Sequence, residues 1–235
     1  MTFSLDVRLD IKAVERQLTN LQRKQVPFAT AKALTITAQE IKKAQENELK
    51  QKLKNPTKFT LNSLRVRPAK KRKLESEVLI MDESFKARPP IDWLSPNIHG
   101  GGRKHKRGEL RLINAGIMRR DEYTVPGQRA KRNRFGNISK GTMQKILSDT
   151  MSQFDKYQNT RKRRRKHYYF AEINGQRGIW FGALAGGTAW PILMFVKAPK
   201  YRKIIKFDKI ATSIAKARFA RNFHRTLRHA LATAR

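Results

Sequence analysis

The chain has 235 residues and a formal net charge of +35, from 53 Lys+Arg against 18 Asp+Glu. That length can bury a core in one domain, or in one domain with an elaborate insertion, and 12 Phe and 3 Trp supply apolar mass for it. Such a charge argues against a chain that works alone and points to nucleic acid or an acidic protein surface as partner; the lack of cysteine excludes disulfides, zinc–thiolate sites and a thiol nucleophile.

In chain order, Phe3, Leu5, Val7 and Leu9 alternate with polar residues and predict a short strand, without the continuous apolar run of a signal peptide. Val14, Leu18 and Leu21 predict a helix over 11–23. Pro27 is placed as the first residue of a longer helix, where its missing N–H costs nothing. Phe28, Ala31, Leu34, Ala38 and Ile41 share one face of it, and Asn55-Pro56 stops it. Strands are predicted at 64–66 and 78–81, joined through the basic run 70–73.

Pro89-Pro90, Pro96, Gly100-Gly101-Gly102, Pro126-Gly127 and Gly136 then predict a basic, loop-rich insertion over 86–137, with one short helix near 109–114. A helix follows over 139–154, N-capped by Ser139, with Met143, Ile146, Leu147 and Met151 on one face. Three strands come next, at 168–173, 178–184 and 191–196, and Asn174-Gly175 between the first two is a strong hairpin signal. The last helix is predicted over 207–232. Phe219, Phe223, Leu227 and Leu231 step by four along it, opposite a row of Arg218, Arg221, Arg225 and Arg228.

These elements predict an α+β fold: an antiparallel sheet packed against a long N-terminal helix and a long C-terminal amphipathic helix, with a basic loop-rich insertion. Residues 1–85 supply the first helices and strands of a single domain, 86–137 the insertion, and 138–235 the elements that complete it. No apolar stretch is long enough to span a bilayer, so a soluble protein without membrane contact is expected.

Three basic segments are candidates for contact with a polyanion or partner. Arg161, Lys162, Arg163, Arg164, Arg165 and Lys166 are adjacent, cannot all be paired internally and are predicted exposed. His167-Tyr168-Tyr169-Phe170, directly after them, reads either as a core strand or as a platform on which unpaired bases stack. The row Arg218, Arg221, Arg225 and Arg228 suits phosphates or carboxylates, which guanidinium groups grip bidentately; the alternative is a solvated face. Arg103, Lys104, Lys106 and Arg107 form the third segment. The stretch from His99 through three glycines to Arg103 lacks the Gly-Lys-Ser/Thr ending of a P-loop. The histidines show no metal spacing and acids are too sparse for a catalytic pair, so no enzyme, metal or cofactor is expected.

The segment LQRKQVPFATAKALTITAQEIKKA carries Pro27-Phe28-Ala29 and Ala31-Lys32-Ala33-Leu34, followed by Pro56-Thr57 and Phe59-Thr60-Leu61-Asn62-Ser63. In this it resembles bacteriophage minor tail proteins of the protein Z type, as do YTVPGQRAKRNRFGNISKGTMQKILS and PILMFVKAPKYRKIIKFDKIA. The resemblance implies a virion structural protein of the head–tail junction, related to tail-completion proteins and without catalytic residues. It implies a homo-oligomeric ring or collar around the DNA channel, made in the host cytoplasm and placed in the neck or tail. Its neighbours would be portal, connector, tail-tube or terminator proteins, with nonspecific contact to packaged DNA. Charge and loops alone fit a nucleic-acid-binding protein of ribosomal type equally well; the motif match tips the expectation to the virion.

Overall fold

The computed structural model describes residues 2–5, 20–83, 88–160, 166–183 and 187–233, with side chains from residue 25 onward. The fold is α+β with antiparallel sheets, a long N-terminal helix and a long C-terminal helix. The chain divides into two compact units, one formed by Met1–His99 with Lys203–Arg235, the other by Gly100–Arg202.

In the first unit, strand β1 (Thr2–Leu5) is followed by helix α1 (Asn20–Lys52) and a single turn, α2 (Lys58–Leu61). Strands β2 (Leu64–Arg67) and β3 (Ser76–Ile80) come next, then helix α3 (Ile91–His99) and the closing helix, here α6 (Phe207–Ala232). The three strands make an antiparallel sheet in the order β1-β3-β2. Leu64 pairs with Ile80 and Val66 with Val78, which sets the apolar residues of β2 and β3 side by side. On β3 Ser76, Val78 and Ile80 alternate inward, the period a half-buried strand requires.

Helix α1 starts earlier than Pro27, which lies inside it. The proline removes one intrahelical bond, but burial of Val26, Ala29, Ala33, Leu34, Ala38 and Ile41 along the same helix outweighs that loss. Phe28, expected on the inner face, is outside, with the ammonium groups of Lys32 and Lys71 at 6.0 and 5.1 Å from its ring centre. The helix ends where Asn55 takes a left-handed φ of 50° ahead of Pro56, as the sequence suggests. The expected helix over 11–23 lies mostly outside the described residues.

Helix α6 runs unbroken over Phe207–Ala232, matching its prediction. It packs antiparallel on α1, where alanines at 29, 33, 38, 211, 215 and 230 are buried and allow close approach. Three side-chain bonds fix the pairing: Gln45 Nε2 donates to Phe207 O (2.7 Å), Asn222 Nδ2 to Thr37 Oγ1 (3.1 Å) and Thr226 Oγ1 to Ala29 O (3.0 Å). The buried positions are Phe207, Ala211, Ala215, Phe219, Asn222, Thr226 and Ala230. Leu34 and Ile41 are fully buried, whereas Phe223 and Leu227, expected in the core, are half-buried on its flank. The inner face is thus turned by roughly one residue, about 100°, from the apolar ladder. Two polar residues at its centre are the reason.

The second unit holds helices α4 (Arg107–Asn114) and α5 (Lys140–Asp149) and strands β4 (Glu122–Pro126), β5 (His167–Ile173), β6 (Gln176–Gly182) and β7 (Trp190–Lys197). The strands form an antiparallel sheet in the order β4-β7-β6-β5. Leu112, Met118, Ile146, Leu147, Ile179 and Leu193 are at its core. Asn174 and Gly175, with φ of 52° and 72°, form the tight turn between β5 and β6. Ser139 caps α5 by accepting from Thr142 N at 3.1 Å. The ends of the unit meet through paired backbone bonds of Gly101 and Tyr201, 2.8 and 3.1 Å long.

The segment 86–137 is more regular than its composition suggests, since α3, α4 and β4 all fall within it. The short helix near 109–114 was expected; α3 and β4 were not. Pro90 serves the first turn of α3, its carbonyl accepting from Leu94 N, and Pro96 is buried within the helix. Residues that ordinarily punctuate loops are here built into a helix.

Candidate polyanion-contact surface

Helix α6 gives the arginine row its footing. With α6 clamped against α1, Arg218, Arg221, Arg225 and Arg228 are all exposed. They flank the buried face rather than opposing it, a consequence of the rotation around Asn222 and Thr226. Among the described residues none of the four forms an ion pair. Arg225 only leans on the neighbouring Asn222 Oδ1, at 3.5 Å. Four guanidinium groups along a rigid helix therefore keep their charge for an external anion. Each can offer two parallel N–H bonds to a phosphate or carboxylate.

Arg103 is committed inward. Its Nη1 and Nη2 donate to the two oxygens of Glu109, at 2.7 and 2.6 Å. The Glu109 side chain is 1% exposed and that of Arg103 11%. Glu109 also accepts from Lys106 N (2.6 Å), Thr124 N (2.8 Å) and Thr124 Oγ1 (2.8 Å). Burial alone pushes the Glu109 carboxyl up, but the Arg103 fork and these three donors outweigh it and hold the pKa down to about 2. Tyr123 completes the cluster, stacked on His105 with centroids 4.2 Å apart and with Arg103 4.8 Å from its ring centre. This arrangement ties α4 to β4. It leaves Lys104 and Arg107, both exposed, as the members of that segment that face outward; Lys106 borders a cavity, where burial lowers the pKa of its ammonium.

Glu122, also buried, repeats the pattern. It accepts from Arg177 Nε at 2.7 Å and from Arg119 N at 2.7 Å. Two of the scarce acids are thus spent inside the second unit, each neutralised by an arginine, Arg103 or Arg177. A cavity of about 330 Å³ between α4, α5 and the sheet is lined by Lys106, Glu109, Thr124, Asn137, Met143 and Leu193. Glu109, the carboxylate in its lining, is saturated by five donors.

Of the basic run, Lys166 is exposed, and Arg161, Lys162, Arg163, Arg164 and Arg165 lie outside the described residues. The aromatic stretch beyond it is a strand. Tyr168 packs on Phe181 with centroids 4.9 Å apart, and Phe170, still 38% exposed, lies beside Phe195 and the Arg177 guanidinium. The stretch is an edge strand of the sheet: His167 is buried, and Tyr168, Tyr169 and Phe170 keep partial exposure. No group of His, Asp and Glu that could hold a metal occurs among the described residues, and no helix among them is long and apolar enough to cross a membrane.

No family model, curated protein or solved structure matches this chain.

Proposed function

We propose that this is a non-catalytic structural protein of the bacteriophage head–tail junction, a neck or tail-completion component that assembles around the DNA channel through basic surfaces. The observation that carries the reading is the row Arg218, Arg221, Arg225 and Arg228, exposed on a rigid helix and without ion pairs among the described residues. Such a row holds phosphates or acidic side chains by charge and geometry. The likeness of residues 27–34 and 56–63 to protein Z-type minor tail proteins supplies the virion context. In that setting the protein forms a ring of identical copies against portal or tail-tube neighbours and touches packaged DNA without sequence preference.

Locating the protein in its native source tests this. Purified particles treated with a lysine-reactive cross-linker should hold several copies linked to one another and to portal or tail proteins. Recovery with ribosomes and absence from particles would overturn the proposal in favour of a ribosomal-type RNA-binding protein.

A further inference from the structure

The loop of residues 150–160 has an unusual combination of order and exposure. Phe154 is 92% exposed, Tyr157 83% and Met151 62%. Large apolar side chains on a slack loop fold back onto the surface. Here the backbone is fastened at many points. Ser152 N donates to Leu147 O (2.7 Å), Gln153 N to Asn159 Oδ1 (3.2 Å) and Ser148 Oγ to Gln158 O (2.7 Å). Gln153 is clamped in turn, its Nε2 on Gln144 O and its Oε1 accepting from Arg111 Nη1 at 2.8 Å. The two rings are held away from the core by a braced frame.

The acids of this region are used in the bracing. Asp155 caps the single 3₁₀ turn Lys156–Gln158 by accepting from Tyr157 N at 2.9 Å. Asp149 accepts from Thr160 Oγ1 at 2.8 Å and from Tyr168 N at 3.1 Å. That one carboxylate gathers the residues on either side of the basic run 161–166 at the foot of the loop. Lys156, between the two rings in sequence, and Lys166 are exposed.

We infer that this loop takes an unpaired stretch of nucleic acid, with bases stacking on Phe154 and Tyr157 and phosphates meeting Lys156 and Lys166. A base offers a π-face joined to a negative charge, the complement of exposed rings set among cations. An ordered loop has already met the entropy cost that a slack one meets on binding. The inference rests on the polyanion reading above and adds a substrate class to it.

The test uses the full chain and three fluorescent ligands of equal length: oligothymidylate, a blunt duplex and an abasic strand. The double variant Phe154→Ala/Tyr157→Ala should bind oligothymidylate at least about tenfold more weakly, while its binding to duplex and abasic strand is unchanged. Phe154→Trp/Tyr157→Phe should restore the loss. Thermal melting should be the same for all forms, because both side chains lie outside the core. Unchanged oligothymidylate affinity in the alanine variant overturns the inference, and so does an equal loss on all three ligands. If the alanine variant loses particle assembly or liposome binding but keeps oligothymidylate, the loop docks on protein or lipid and the inference falls. Failure of the wild type to bind even duplex would remove the polyanion reading beneath it as well.

Discussion

Arg103 and Glu109 form a bidentate ion pair, 2.6 and 2.7 Å long, inside the second unit. The pair explains why a residue from a strongly basic segment does not serve the surface. A carboxylate with almost no solvent contact needs several donors, and Arg103, six residues before it, supplies two of them. Glu109→Gln should destabilise the fold by about 3 kcal/mol, because Arg103 loses its counter-charge. Denaturant unfolding of the variant measures this.

The same carboxyl predicts a pH dependence. Its ordinary value is 4.5 and its folded value about 2, so the folded state prefers the ionised form. The stabilisation is complete above about 4.5 and is lost as pH falls toward 2. It amounts to roughly 3 kcal/mol. Wild-type stability should therefore fall through this window more steeply than that of Glu109→Gln, which has no group to protonate there. Parallel acid titrations of the two proteins would refute the assignment.

Asn222 sits at the centre of the α1–α6 contact, bonded to the Thr37 hydroxyl. Its replacement by Ala removes that bond and opens a small void, at a cost of about 1–3 kcal/mol. The helix should survive, since α6 keeps Phe207, Phe219 and its buried alanines. Circular dichroism with urea unfolding reads both quantities.

Gly178 lies where β6 meets β7, and a Cβ there would come within 2.4 Å of Leu193 O. Gly178→Ala must force the two strands apart and should cost on the order of 1–3 kcal/mol or more. Gly141, on α5, has open space around its Cβ position and serves as the control. Gly141→Ala should be neutral or stabilising. Equal melting temperatures for the two variants would contradict the strand packing.

Much of the fold was legible because local signals agreed with tertiary ones. The Asn174-Gly175 turn, the Ser139 cap and the helix Phe207–Ala232 each rest on nearby residues, and each is present. Two of the departures share a cause, which is that polar residues do core work. Asn222 and Thr226 occupy the inner face of α6 because Thr37 and Ala29 O satisfy them, and a count of apolar residues cannot register that. Arg103 looks like its basic neighbours until Glu109 is known to be buried. Met151 and Phe154 continue the apolar spacing of α5 and so read as helix. The helix in fact stops at Asp149, and Met151 turns the chain with a φ of 57°. The division into two units left no mark on composition, since basic residues occur throughout both.

Arg103 and the α6 row should separate cleanly in binding experiments. Arg103→Gln should lower stability and leave duplex binding unaltered, because that guanidinium is spent on Glu109. Nitrocellulose filter binding at fixed salt is sufficient; a drop in affinity comparable to that from Arg221→Gln would return Arg103 to the contact surface.

The salt dependence of duplex DNA binding, for the wild type and for the variant with Arg218, Arg221, Arg225 and Arg228 all changed to Gln, bears on the whole reading of the basic surface. The wild type should bind tightly at low salt and weaken steeply as salt rises. The variant should show a shallower slope, by up to about 0.9 for each arginine that neutralises a phosphate, with helix content and melting temperature unchanged. Unrelated duplex sequences should bind alike. An unchanged slope in the variant, or discrimination between sequences on the order of a thousandfold at physiological salt, would contradict a surface that holds polyanions by charge alone.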